Sequence, residues 1–133
     1  MCWSTMETTK VSSIIDLEAA KWDEEVTRSK QLVLVDFWHD ACVWCKRLDP
    51  ELSAIAGDFS GKLKITKLNI FSSDENGEIG RKYGIMGTPT LLLFCNGRPV
   101  DSLVGYRPRD ALRKELREKL DKAKDCFNES TSV

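Results

Sequence analysis

Two cysteines separated by two residues are the part of this sequence best suited to chemistry. Cys42 and Cys45 follow the strand-like run Leu32–Trp38 and open a segment with helical spacing that ends near Phe59. Two thiols one helical turn apart are able to cycle between a dithiol and a disulfide. The start of a helix has unpaired N–H groups and a partial positive charge, and both favour the thiolate that attacks disulfides. The spacing therefore predicts thiol–disulfide exchange.

The two thiols are expected to have different roles. Cys42, at the start of the helix, would be exposed and would attack a substrate disulfide as the thiolate. Cys45, one turn further on, would be shielded and would resolve the mixed disulfide by attacking Cys42. A structural pair or half of a zinc site is the alternative. Zinc needs two more ligands, and neither the single histidine, His39, nor the scattered remaining cysteines supply a second cluster.

A carboxylate precedes the cysteines within an apolar run. Asp36 lies between Val35 and Phe37, and burial at this position would raise its pKa. A carboxyl group of this kind is able to take the proton of Cys45 when that thiol must become a thiolate. An exposed acid at the end of a strand is the alternative interpretation.

Short apolar runs along the chain are typical of β-strands, and the continuous run after residue 31 favours a central strand buried on both faces. The predicted strands are Val11–Ile15, Leu32–Trp38, Leu63–Ile70, Thr90–Cys95 and about Val100–Val104. Asn96-Gly97, between the last two, is a strong signal for a hairpin turn.

Apolar residues three or four positions apart predict helices between these strands. The predicted helices are Leu17 to about Ser29 with Asp16 as its cap, Cys42 to about Phe59, a short helix before Tyr83, and Arg109 to about Lys122. Strands that alternate with helices and end in a hairpin imply an α/β fold. We expect a central mixed β-sheet of about five strands flanked by four helices.

The 133 residues are the length of one domain. We expect that domain at residues 11–124, between disordered tails at residues 1–10 and 125–133. The net charge of −1 implies no attraction to nucleic acid or to an anionic membrane, and no apolar run approaches the roughly 20 residues that span a bilayer. Residues 1–10 lack the apolar stretch of a secretory signal, so the cytoplasm is the predicted location. Export after removal of a leader is the alternative.

The chain has five cysteines, and an odd number argues against a secreted disulfide scaffold. Cys95, at a strand end, is interpreted as a small buried hydrophobe. Cys2 and Cys126, in the predicted tails, are interpreted as exposed passive thiols. A regulatory disulfide that involves Cys2 or Cys126 is the open alternative.

Further motifs occur in the order of a known family. They are Val35-Asp36-Phe37-Trp38, Lys46, Pro50, Lys67-Leu68-Asn69-Ile70, Tyr83-Gly84-Ile85, Gly87-Thr88-Pro89-Thr90, Leu91–Phe94, Asn96-Gly97 and Val104-Gly105. With these motifs, residues 11–122 resemble thioredoxin. The usual Trp-Cys-Gly-Pro-Cys is altered, because Ala41 precedes the first cysteine and Val43-Trp44 lies between the two. Val43 is similar to the residue found in membrane-linked electron-relay domains of the same fold.

The resemblance implies roles for residues around the cysteines. Asp36 would accept the proton of Cys45, and Lys67 on the neighbouring strand would be the partner of Asp36. A solvated lysine is the alternative for Lys67. Pro89 would follow a cis peptide bond, and the backbone of Thr88 would pair with an extended substrate chain.

Three more residues would flank the site and contact the substrate. They are Trp38, Trp44 and Gly105. The ring of Trp44 lies next to the reactive cysteine in sequence, which favours a surface that faces the substrate; simple packing is the alternative for both tryptophans.

The function implied is a thiol–disulfide oxidoreductase that reduces protein disulfides. It would act as a monomer on disulfide-containing proteins, without a metal or an organic cofactor, and would receive electrons from a thioredoxin-reductase-like donor. The missing Gly-Pro leaves open a disulfide oxidant, an isomerase or a dedicated electron relay. A non-catalytic binding module of the same fold is a further alternative.

Overall fold

A five-stranded β-sheet forms the centre of the computed structural model, which describes residues 14–127. Its strands are β1 (Ile14–Leu17), β2 (Leu32–Trp38), β3 (Leu63–Asn69), β4 (Thr90–Cys95) and β5 (Arg98–Val104). Their order across the sheet is β1-β3-β2-β4-β5. β1, β3 and β2 are parallel, whereas β4 is antiparallel to both of its neighbours. The prediction of a mixed sheet in an α/β fold is confirmed.

Within residues 14–127, four helical elements flank this sheet, as the sequence predicts. The first combines a short 3₁₀ turn with a π-helical turn, and the other three are α-helices. The four elements are the first helical segment (Ala19–Lys21 and Asp23–Thr27), α1 (Val43–Ala56), α2 (Asp74–Lys82) and α3 (Arg109–Ala123). A 3₁₀ turn at Gly57–Phe59 follows directly after α1.

The helices cover both faces of the sheet. On one face, α1 contributes Leu48, Leu52 and Ile55 to the core, and α3 contributes Leu112 and Leu116; all five are fully buried. Burial of each such side chain stabilises the fold by roughly 2 kcal/mol.

On the other face, the first helical segment and the end of α2 meet the sheet. Trp22 packs against Phe94 and Tyr83, with ring centroids 5.4 and 5.6 Å away. The central strand is therefore covered twice, and residues 32–37 are all buried. This explains why its sequence is continuously apolar apart from Asp36.

The predicted helix from Leu17 to Ser29 is wrong at its start. Asp16 and Leu17 belong to β1 and pair with Lys67 and Leu68 of β3, so Asp16 is not a helix cap. The first helical segment begins at Ala19, whose N–H donates to the side-chain oxygen of Asn76 at 2.8 Å. Pairing with β3 outweighs the local capping signal. Residues 11–13 of the predicted first strand lie outside the described residues.

The remaining predicted bounds agree with the structure to within a few residues. The hairpin between β4 and β5 turns at Asn96 and Gly97, with φ of 55° and 77°. Positive φ at both positions is the conformation that Asn-Gly adopts in a two-residue hairpin turn.

The interpretation of Cys126 as an exposed passive thiol is wrong. Cys126 forms a disulfide with Cys95, the last residue of β4, and Phe127 packs against the core. Cys95 is buried, as expected, but it is half of a disulfide and not a free thiol. Cys2 lies outside the described residues, and the division into one domain and two tails stays a prediction.

Candidate active site

The cysteine pair lies at the start of α1, immediately after the central strand. Cys42 is the N-cap residue and forms a disulfide with Cys45. Its sulfur accepts a hydrogen bond from the N–H of Cys45 at 3.1 Å. An N-cap sulfur that accepts from the first turn satisfies one of the unpaired donors of the helix, and the same donor would stabilise a thiolate there.

The two cysteines differ slightly in their exposure to solvent. Both cysteines are buried, but 8% of Cys42 is exposed against 3% of Cys45. The residues between them point outward, since 61% of Val43 and 52% of Trp44 are exposed. Cys45 is the more shielded of the two, as predicted, but Cys42 is buried in the disulfide form and not exposed as the sequence analysis expected.

Trp44 forms one wall of a surface beside the disulfide. Its ring lies 5.6 Å from the ring of Tyr106, and the guanidinium group of Arg47 lies 5.0 Å from the indole centroid. These two contacts fix the orientation of a ring that remains half exposed. Tyr106 is a site residue that the sequence analysis missed, although it directly follows the Val104-Gly105 motif.

The loop before β4 forms the opposite wall. The Thr88–Pro89 peptide bond is cis, as the resemblance implies. The C=O of Pro89 accepts from the N–H of Gly105 at 2.9 Å. Gly105 has a φ of 95°, in the left-handed region that favours glycine, which explains the glycine at this position.

Between these walls lies a shallow cavity of about 350 Å³. It is lined by Trp44, Thr88, Pro89, Gly105 and Tyr106. Within residues 14–127, the backbone N–H and C=O of Thr88 have no hydrogen-bond partner. The structure thus brings together four of the five residues that the sequence analysis assigned to substrate contact.

Asp36 lies on the central strand β2 and is 1% exposed. Burial raises the pKa of Asp36 from 3.8 to about 7; the charge of Lys67 opposes this rise, and the charge of Asp49 adds to it. In the described part of the chain, its Oδ1 atom has no hydrogen-bond partner. The alternative of an exposed strand-end acid is wrong, because the flanking strands and α1 cover this position.

Lys67 is the residue of β3 that pairs in register with Asp36. Its ammonium group forms an ion pair with Asp49 of α1 at 2.5 Å and lies 4.7 Å from the ring centroid of Trp38. The side chain of Lys67 is 16% exposed, so it is not a solvated lysine. Trp38 therefore packs on Lys67, and it does not line the cavity beside Trp44.

Asp49 is a second residue that the sequence analysis missed. It lies four residues after Cys45, a spacing that puts both side chains on the same face of α1. The four-residue spacing from Cys45 is the feature of the sequence that points to Asp49 as a site residue. Its partner was not evident from sequence, because it depends on how α1 packs across β3.

No group of three or more His, Cys, Asp or Glu residues between residues 14 and 127 could hold a metal ion. Within the same range, no helix is long and apolar enough to cross a membrane.

His39 accepts a hydrogen bond from the N–H of Ala41 at 3.2 Å and packs against Phe71, with ring centroids 4.6 Å apart.

A cysteine pair at a helix N-terminus, a buried carboxyl group and a cis-proline loop define a thiol–disulfide oxidoreductase. The thioredoxin family model matches residues 13–118. A thioredoxin of Griffithsia pacifica is 39% identical over 110 residues, which cover 83% of this chain and 95% of the relative. A thioredoxin of Staphylococcus aureus is 40% identical over 104 residues, or 78% of this chain and 95% of the relative. The chain belongs to the thioredoxin family.

Membership of this family establishes the type of reaction. Thioredoxins are protein-disulfide reductases that work through a redox-active disulfide without a bound cofactor, and the Cys42–Cys45 pair is that disulfide in this chain. Their substrates are proteins that contain disulfides.

Proposed function

We propose that the chain reduces protein disulfides by an attack through Cys42 that Cys45 completes. The observation that carries this assignment is the N-cap position of Cys42, with its sulfur accepting the N–H of Cys45. In the dithiol form, the Cys42 thiolate attacks a substrate disulfide and releases one substrate thiolate. Cys45 then attacks Cys42, which reforms the Cys42–Cys45 disulfide and releases the second substrate thiolate.

We further propose that Asp36 takes the proton of Cys45 in the second step. A carboxyl group with a pKa near 7 is a better base than an ordinary aspartate, and it is closer to the pKa of a thiol, about 8.5. Lys67 modulates this carboxyl group through its charge.

The substrate is proposed to bind as an extended segment across the cavity beside Trp44. The backbone of Thr88 would pair with it as with an added strand, while Pro89 and Gly105 provide a wall without long side chains. Half-exposed Trp44 supplies apolar contact at the rim.

Activity and order of attack are tested together in the reduction of insulin by dithiothreitol. We expect the chain to accelerate insulin reduction and Cys42→Ser to abolish the acceleration. Cys45→Ser should accumulate mixed disulfides with substrate proteins through Cys42. Cys2→Ser is the matched control for the loss of a thiol and should keep full activity. Full activity in Cys42→Ser would refute the assignment.

We propose that electrons come from a thioredoxin-reductase-like donor and that the chain acts as a monomer in the cytoplasm. Reduction of the Cys42–Cys45 disulfide by a thioredoxin reductase, light scattering and cell fractionation test these three statements. Because Val43-Trp44 replaces Gly-Pro, the equilibrium with glutathione tests the direction; a strongly oxidising couple would favour an oxidant or isomerase.

A further inference from the structure

The ammonium group of Lys67 is held by a carboxylate other than the buried one beside it. Lys67 pairs in register with Asp36, yet its ion pair is with Asp49 at 2.5 Å. Asp36 Oδ1 lacks a hydrogen-bond partner among residues 14–127. The Lys67 ammonium group, whose charge acts on the buried acid, is thus engaged from the side of α1.

Asp49 is well placed for this contact. It follows Cys45 by one helical turn, on the same face of α1. Its side chain is 45% exposed, whereas that of Lys67 is 16% exposed. The ion pair therefore draws the end of a largely buried lysine toward the solvent side of the helix.

We propose that Asp49 is a positioning residue for disulfide exchange: it holds the Lys67 ammonium group in an ion pair and so weakens the action of that charge on Asp36, the group that takes the proton of Cys45. The inference rests on the proposed role of Asp36 and extends it to a residue outside the cysteine motif.

The charges around Asp36 support this role. β3 presents Lys67 and α1 presents Asp49, while the register partner on β4 is the apolar Leu91. Cys45 of α1 is held in the disulfide and carries no charge. Of the two charges that act on the Asp36 carboxyl group, Lys67 lowers its pKa and Asp49 raises it. Removal of the Lys67 charge should therefore raise the pKa of Asp36, and removal of the Asp49 charge should lower it.

The chemical consequence lies in the second step of the exchange. The Asp36 carboxylate accepts the proton of Cys45, and the resulting thiolate attacks the Cys42 sulfur of the mixed disulfide. The bond from Cys42 to the substrate sulfur breaks, and its electron pair leaves with the substrate thiolate, which takes a proton from Asp36 or from water. Since a carboxylate of higher pKa is the stronger base, Asp49 favours this transfer near neutral pH.

The test is the titration of Asp36 in the oxidised protein, followed by the ¹³C chemical shift of its carboxyl carbon. We expect the midpoint to fall in Asp49→Asn and to rise in Lys67→Met, each by about one pH unit, the scale of one nearby charge. Asp49→Glu should remain close to the parent protein, because it keeps the carboxylate.

Asp58→Asn is the matched control. The side chain of Asp58 is 43% exposed, close to the value for Asp49, and it forms an ion pair with Arg113 at 2.8 Å near the far end of α1. This substitution should leave the Asp36 midpoint unchanged. A shift in the control as large as that in Asp49→Asn would overturn the proposal.

A double-mutant cycle tests whether Asp49 acts through Lys67. The downward shift caused by Asp49→Asn should be smaller in the Lys67→Met background than in the parent protein. An equal shift in both backgrounds, or no shift in Asp49→Asn alone, would overturn the proposal. The titration needs no catalysis, so failure of the proposed reductase function would appear separately, as lost insulin reduction with the predicted shifts intact.

Discussion

Asp36→Asn is expected to make the protein more stable, and by an amount that depends on pH. The pKa of Asp36 is about 7 in the folded protein, against an ordinary value of 3.8, so the folded state binds this proton more tightly than the unfolded chain. The difference of about 3 units corresponds to about 4 kcal/mol at roughly 1.4 kcal/mol per unit. This stabilisation of the parent protein by the bound proton is fully present below pH 3.8 and is lost as the pH rises to about 7.

An asparagine has the shape of the protonated acid and never ionises. The free energy of unfolding of Asp36→Asn should therefore match that of the parent protein at about pH 4, and exceed it by up to about 4 kcal/mol above pH 7. Urea unfolding of the oxidised proteins from acid to alkaline pH measures this difference. Asp58→Asn, which removes an exposed acid, should not reproduce its pH dependence.

A difference in the free energy of unfolding that does not grow between pH 4 and pH 7 would contradict this expectation. A pH-independent gain or loss would mean that Asp36 is not held in its protonated form by burial. The same variant should resolve mixed disulfides more slowly, since it lacks the carboxylate that accepts the Cys45 proton.

Two further predictions concern the second disulfide and the rim of the cavity. Cys126→Ser should lower the free energy of unfolding by about 4 kcal/mol in the absence of reductant, which is the chain-entropy value for a loop with a sequence separation of 31. Cys2→Ser is the control and should leave the free energy of unfolding unchanged. If the unreduced parent protein has three free thiols after unfolding, the Cys95–Cys126 disulfide does not form. Trp44→Ala should lower kcat/KM for insulin by about tenfold, or roughly 1.4 kcal/mol, and change kcat/KM for a small aromatic disulfide by no more than about twofold. Val100→Ala, at an exposed apolar residue outside the cavity, is the control. Equal losses for both substrates in Trp44→Ala would contradict a role of Trp44 in docking the protein substrate.

Much of the fold follows from local patterns in the sequence. The apolar run of β2 and the Asn96-Gly97 turn are each explained by neighbouring residues alone, and the structure places both as predicted. The burial of Asp36 is also a local inference, because apolar residues flank it on a central strand. These features need no knowledge of distant contacts.

Features that depend on distant contacts were the ones that the sequence analysis missed. Asp16 carries a local capping signal but belongs to a strand, because β1 gains pairing with β3. Cys126 pairs with Cys95 across 31 positions, and only the packing of α3 beside the end of β4 brings them together. The Asp49–Lys67 ion pair likewise requires α1 to lie over β3.

The most direct test of the account is the alkylation of the reduced protein by iodoacetamide across a range of pH, with the modified cysteines located by mass spectrometry. We expect Cys42 to react first, with a midpoint below the value of about 8.5 for a free cysteine, while Cys45 is protected. A correctly folded, reduced protein in which Cys42 is inert at neutral pH, or in which Cys45 reacts faster, would contradict it.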